Sequence, residues 1–331
     1  MSLLASIDVG SNTLRLLIAE VEDNKLINVF SDRKITRLGN GVAQTGRLHD
    51  ENIEATISVL GEFSSVISQY GVRHVKAVAT SALREASNSD FFVKRVLDAT
   101  GISIEVIPGK KEAELTLRGV LYSFPGYECG TSAPLFPPLS LGGPGRLFII
   151  DIGGGSTEWI LCRGKQDIAM GSIPIGVIKL TENFLKTDPI TGTDLNALND
   201  EIVQLIEELE KRVGRLINGH TRFVGTAGTF TTIAAIDLGL EEYSREKIHL
   251  HAVSLSKLKA IGRMLASLPL EERRKTKGLE PERADLIIPG VQFTIKIMEF
   301  FKFDELIISD YGLLEGALLD IEKDISKAGK S

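Results

Sequence analysis

Asp151, Gly153, Gly154, Gly155, Ser156, Thr157 and Glu158 stand almost contiguously, between the apolar runs Leu147–Ile150 and Trp159–Leu161. The pattern predicts a buried strand, a tight glycine turn and a second strand. Glycines there can adopt positive φ, and without a Cβ their N–H groups stay open to a ligand. A row of N–H groups flanked by hydroxyls suits a phosphate-sized anion. Asp151, at the strand end, and Glu158, just past the turn, are placed to hold a hydrated cation or a water beside it. A plain glycine hairpin would share the glycines. Hydroxyls and carboxylates added to them point to phosphate.

The same order recurs near the start of the chain. Asp8, Gly10, Ser11, Asn12 and Thr13 lie between Ser6-Ile7 and Leu14–Ile18, and aligning Asp8 with Asp151 puts Gly10 on Gly153. Two strand–Asp–Gly–turn–strand units predict two related domains, each offering a hairpin to a phosphate chain held in the cleft between them. Other elements must bring further groups to those turns. The strand His74–Ala79 would deliver Thr80, Ser81 and Arg84 to its carboxyl end, where ligands collect in α/β sheets. Arg84 is either a solvated helix residue or a guanidinium fork for phosphate oxygens. Pro108-Gly109 ends one strand and opens a helix with Glu112 in its first turn, a position that favours acids on dipole grounds alone. Phe223–Thr232 reads as strand, glycine turn and helix start, with Gly225, Thr226 and Gly228 at an N-terminus able to donate to an anion.

The segments IDVGSNTLRLLIAEV and IDIGGGSTEWIL resemble the two phosphate motifs of the exopolyphosphatase/guanosine-pentaphosphate phosphohydrolase (Ppx/GppA) family. That family lies within the actin, Hsp70 and sugar-kinase superfamily, and the likeness runs nearly end to end. The resemblance implies an α/β fold of two actin-like, ribonuclease H-like domains. Each would have a mixed five-stranded sheet flanked by helices, with the active site between them. Residues 1–124 and 310–331 would form the first domain, 125–145 a linker or loop, and 146–309 the second. It further implies hydrolysis of a terminal phosphoanhydride, in inorganic polyphosphate or guanosine pentaphosphate. Glu112 matches the base that activates water, and Thr80–Arg84 a turn ending in a phosphate-contacting arginine. Ser11, Asn12, Thr13, Gly153, Gly154, Gly155, Ser156, Thr157, Gly225, Thr226 and Gly228 would bind phosphate. Asp151, Glu158 and Asp8 would hold Mg²⁺, directly or through water.

Lys111 replaces the acid that usually precedes the base, Lys179 stands where an arginine is common, and Arg283-Ala284-Asp285 repeats a family tripeptide. The likeness also implies the short form, without a C-terminal His-Asp domain, and a homodimer to extend the grip on a long substrate. A slow polyphosphate or nucleotide sensor and an ATP-dependent kinase or ATPase are the competing readings.

Composition bounds these readings. The chain has 331 residues, 43% hydrophobic and 25% charged, with a net charge of -6. That charge argues against a nucleic-acid partner, so attraction for a polyanion must come from local basic patches. The basic run through Arg273, Arg274, Lys275, Lys277 and Arg283 is the candidate. No apolar run reaches the ~20 residues of a membrane span, no leader is apparent, and Cys129 and Cys162 suit a reducing cytoplasm. No P-loop or Rossmann fingerprint is present. The histidines lack metal spacing, and His249 and His251 read as alternating surface residues of a strand. The Pro- and Gly-rich stretch 123–146 reads as a passive loop.

Overall fold

In this computed structural model, residues 3–22, 25–124, 145–164 and 166–328 are described. Cys129 and nearly all of the predicted 123–146 loop lie outside them. The chain divides into two compact units, Met1–Gly119 with Gly312–Ser331, and Val120–Tyr311.

The first unit is built on β1 (Leu3–Val9), β2 (Thr13–Glu22), β3 (Lys25–Ile35), β4 (His74–Ala79) and β5 (Ile104–Val106), in the order β3-β2-β1-β4-β5. β1 runs antiparallel to β2 and parallel to β4, and β4 is parallel to β5. Every residue of β1 after Leu3 is buried, as expected of a strand covered on both faces. On one face lies helix Asp50–Gln69, which turns Ile53, Leu60, Phe63 and Ile67 inward. On the other lies helix Leu313–Ala328, whose Leu314, Leu318 and Ile321 meet Leu4, Leu17 and Ala19. It also approaches helix Gly109–Ser123 closely: a Cβ on Gly316 would lie 1.9 Å from the Leu115 carbonyl oxygen.

The second unit repeats the plan with β6 (Arg146–Ile152), β7 (Thr157–Arg163), β8 (Gln166–Ile173), β9 (Thr221–Thr226), β10 (Ala252–Ser254) and β11 (Glu305–Ser309), in the order β10-β11-β9-β6-β7-β8. The sixth strand is β10, which pairs antiparallel with β11 at the sheet edge. Phe148, Phe223 and Phe303 form its aromatic centre, with the rings of Phe223 and Phe303 stacked 5.2 Å apart. Helix Gly192–Val213 opens on a capping box between Thr191 and Asp194 and buries Leu198, Ile202, Ile206 and Leu209. Thr191 thereby satisfies N–H groups that helix starts leave unpaired.

His249 and His251 are not in a strand. His249 ends the short helix Arg245–Ile248, and Leu250 takes φ 63. His251 is half-buried, with Nε2 2.7 Å from Asp237 Oδ2. The Asp310 amide donates to His249 Nδ1 (3.4 Å), which leaves Nε2 to donate to the Ser123 carbonyl (3.4 Å). Burial pushes the His249 pKa down, against opposing contributions from the Ser123 hydrogen bond and Asp310. A lowered folded value means the neutral ring stabilises the fold fully above the ordinary histidine value of about 6.5, and that stability is lost as pH falls below it. Between pH 8 and pH 4, the melting temperature of the wild type is expected to fall more steeply than that of His249→Gln. A difference between the two proteins that stays constant with pH contradicts this.

Candidate functional site

The turn between β6 and β7 is closed by the Gly153 N–H on the Ser156 carbonyl (3.0 Å). The next two carbonyls, of Gly153 and Gly154, accept the N–H groups of Val177 and Ile178 (3.0 and 2.9 Å) at the start of helix Val177–Phe184. In a trans peptide the carbonyl and the following N–H point opposite ways. The N–H groups of Gly154 and Gly155 therefore face away from that helix, and no described residue accepts them. None of Gly153, Gly154 or Gly155 has positive φ. Their value is the missing side chain, not a left-handed backbone.

The hydroxyls of this turn point inward. Ser156 Oγ donates to Glu158 Oε1 (2.9 Å), as does Ser172 Oγ (2.7 Å), and Thr157 Oγ1 donates to the Ile175 carbonyl (2.8 Å). The N–H groups, rather than the predicted hydroxyls, are the outward donors. Asp151 and Glu158 are directly opposed across the β6–β7 ladder, so both carboxylates leave the same face of the sheet. Both are buried.

The β1–β2 turn is built alike. The Gly10 N–H bonds the Thr13 carbonyl (3.1 Å), Ser11 O accepts from Gly39 (2.6 Å), and Asn12 O accepts from Thr36 and Arg37 (3.1 and 3.0 Å). The Asn12 N–H is thereby turned away from Gly39, again with no described acceptor. At the place of Glu158, however, stands Arg15, which grips Asp8 Oδ2 through Nε (3.0 Å) and Nη2 (2.7 Å). Asp8 Oδ1 and Asn12 Oδ1 are buried without a partner among the described residues. The sequence carried the signal for Arg15: it follows Asp8 by the same spacing as Glu158 follows Asp151.

β1, β4 and β5 end at one edge of the first sheet, where Val9, Ala79 and Val106 are in register. Arg84, in the short helix Ser81–Glu85, reaches across that edge. Its Nη1 donates to the Ile107 carbonyl (3.0 Å) and to Glu112 Oε2 (2.6 Å). The predicted phosphate ligand and the predicted base are thus an ion pair, with Glu112 buried. Lys111 is turned to Asp320, 3.2 Å away.

In the second sheet, Asp151, Thr226 and Ser309 are in register at the matching edge. The Phe230 ring fills the side-chain space of Gly225, and the Arg283 guanidinium fills that of Gly228 at the start of helix Gly228–Leu238. Thr226 Oγ1 donates to the Tyr311 carbonyl (3.0 Å). Lys179 Nζ donates to the Pro174 carbonyl (2.5 Å).

The basic run is not a stripe of unpaired charge, although Arg274, Lys275 and Lys277 are exposed. Arg273 is buried and donates to the carbonyls of Leu265, Ala284 and Leu268. Arg274, Lys275, Lys277 and Arg283 pair with Glu271, Glu272, Glu241 and Glu280.

Among the described residues, no three of His, Cys, Asp and Glu gather into a metal cage. Two opposed buried carboxylates nonetheless suit a hard cation, which would relieve the repulsion between like charges so placed. Mg²⁺ keeps several waters and is commonly held by one or two carboxylates. Asp151 and Glu158 fit that role, whereas Asp8 is already neutralised on one oxygen.

Each unit is thus a hairpin-led mixed sheet flanked by helices, with its polar groups gathered at the carboxyl edge of the parallel strands: the actin-like α/β class. The chain belongs to the Ppx/GppA phosphatase family, whose model matches residues 17–130 and 140–325. Exopolyphosphatase 2 of Mycobacterium tuberculosis is 31% identical, over 96% of this chain and 98% of its own. The bifunctional 3-dehydroquinate synthase/phosphatase of Fusobacterium nucleatum is 32% identical over 96% of this chain, which spans 46% of that protein. The guanosine-5'-triphosphate,3'-diphosphate pyrophosphatase of Photobacterium profundum is 26% identical, and this chain spans 59% of it. Among solved structures, a Cytophaga hutchinsonii exopolyphosphatase aligns with TM-score 0.86 at 26% identity, over 97% of this chain and 98% of that one. The Aquifex aeolicus family member aligns with TM-score 0.77 at 34% identity, over 98% of both chains. No described helix is long and apolar enough to cross a membrane.

Proposed function

We propose that the protein hydrolyses terminal phosphoanhydride bonds of polyphosphate, releasing orthophosphate, with guanosine pentaphosphate as the second candidate substrate. The observation that carries this reading is the 153–156 turn. Its two outward N–H groups stand in the same turn as the opposed carboxylates of Asp151 and Glu158. The N–H groups bind phosphate oxygens, and their direction is fixed before the substrate arrives, so no reorganisation is needed as charge develops. Asp151 and Glu158 would hold Mg²⁺, which would supply neutralisation of the phosphate charge. The first unit carries an outward donor of its own, the Asn12 N–H, beside the buried Asp8 Oδ1. Glu112 orients the attacking water and takes its proton, while Arg84 fixes the carboxylate. Positioning and electrostatics dominate phosphoryl transfer, so the cradle carries more of the rate than the base.

Polyphosphate is the first candidate because the M. tuberculosis exopolyphosphatase is the more similar relative, 31% identical against 26% for the P. profundum pyrophosphatase. Orthophosphate release from each substrate, with Mg²⁺ and with EDTA, tests the proposal. Mg²⁺-dependent release without a second, acceptor substrate is expected, faster from polyphosphate. Release that requires an acceptor, or none from either compound, refutes it.

A further inference from the structure

Away from these groups, three cations of the first unit converge on one carboxylate. Asp320, on helix Leu313–Ala328, accepts from Lys76 Nζ of β4 (2.8 Å), from Lys111 Nζ (3.2 Å) and from Arg118 Nη1. Lys111 and Arg118 stand two turns apart on helix Gly109–Ser123, and so share a face. Gly316, one turn before Asp320, permits the close helix approach that brings the acid over them.

The charges do not balance. Among the described residues, the side chains of Lys76, Lys111 and Arg118 have no hydrogen-bond or ion-pair partner other than Asp320. Burial raises the Asp320 pKa, but the bonds from Lys76, Arg118 and Lys111 outweigh it and hold the carboxyl well below its usual range. Three positive charges therefore share one negative. One cation would satisfy a structural carboxylate, and each further one adds like-charge repulsion. An ammonium also has three donors and a guanidinium five, of which Asp320 engages one apiece. The side chains remain 19%, 30% and 31% exposed, so part of each is open to solvent.

We propose that Lys76, Lys111 and Arg118 form a second oxyanion site on the first unit, which takes a phosphoryl dianion on the exposed flank of the three cations. A dianion matches the surplus of two charges, and its oxygens suit several donors at once. The ligand is either free orthophosphate or a phosphate group within a longer polyphosphate. Lys111 directly precedes Glu112, so occupancy bears on the first turn that carries the proposed base. The site does not rest on the hydrolase reading, because binding can be read with turnover absent.

The test is calorimetric titration of the full chain in EDTA with orthophosphate and, separately, with long-chain polyphosphate, accompanied by melting curves. Lys111→Met with Arg118→Met keeps the Lys76–Asp320 pair and hence the fold. It is expected to weaken binding about a hundredfold, roughly tenfold for each charge-assisted bond removed. Asp320→Asn removes the competing acid. It is expected to melt lower, bind about tenfold tighter, and regain stability with added phosphate to a greater extent than the wild type. Loss confined to orthophosphate identifies a product site, and loss that includes polyphosphate a chain-holding site. Unchanged isotherms in the double variant, or an Asp320→Asn protein that is destabilised without tighter binding, overturn the proposal. The titration in EDTA reads binding without turnover, which separates this outcome from failure of the hydrolase reading.

Discussion

Glu112→Ala and Glu112→Gln are both expected to lower kcat for orthophosphate release by about two to four orders of magnitude, with KM little changed. Glu112 is buried in the first turn of its helix, and its amide is tied to the Pro108 carbonyl (3.1 Å). Arg84 fixes the carboxylate and is itself fixed by the Ile107 carbonyl, so the pair is held at two points. An acid paired with a guanidinium is an anion, the form a general base requires. Glutamine keeps the size and can still accept from Arg84, but it cannot take a proton. Its loss of rate therefore isolates proton transfer from packing, which alanine alone does not. Arg84→Met should behave differently, with lower stability and altered KM, because it strands a buried carboxylate. Steady-state kinetics with matched melting curves separate the cases. If Glu112→Gln turns over at the wild-type rate, Glu112 serves only to anchor Arg84, and another group activates the water.

The parts of this picture that were legible in the sequence are the local ones. A hairpin is written in contiguous residues, so both Asp–Gly turns could be read directly, as could His74–Ala79 and the helix from Asp50. Tertiary pairings were not visible. Arg84 and Glu112 could each be singled out, but nothing local says that they touch across 28 positions. The basic run looked like an open patch because a charge count does not show the three carbonyls around Arg273 or the acids beside its neighbours. His249 and His251 alternate as strand residues do, yet Leu250 bends the chain and the Ile308 carbonyl takes its N–H (2.7 Å). The strand begins at Ala252 instead, and three residues are too few for periodicity to reveal. Lys111 stands beside Glu112 in place of an acid, and only the returning C-terminal helix shows where its charge goes.

Gly176→Ala is expected to reduce kcat/KM by about a hundredfold or more while costing only about 1–3 kcal/mol of stability. Gly176 has an extended backbone that any residue can adopt, φ -134 and ψ -175, so the effect is not one of conformational freedom. The reason is space. A Cβ there would lie 2.4 Å from the Gly153 carbonyl oxygen and 2.5 Å from the Gly154 carbonyl carbon and oxygen. Both obstacles are backbone, so the turn itself must shift. Those same carbonyls are held by Val177 and Ile178, and that grip is what aims the Gly154 and Gly155 N–H groups outward. Rotating the two peptides spoils both donors together, and a hydrogen bond weakens steeply once its angle departs far from linear. Stability suffers less, because the hydrophobic core beneath the turn is left in place. Gly192→Ala serves as the control: it starts a helix in open space with no atom within 4 Å of the added Cβ, and should leave kcat/KM unchanged. A Gly176→Ala enzyme with a lowered melting temperature but undiminished kcat/KM would show that the turn is a structural joint and that phosphate is bound elsewhere.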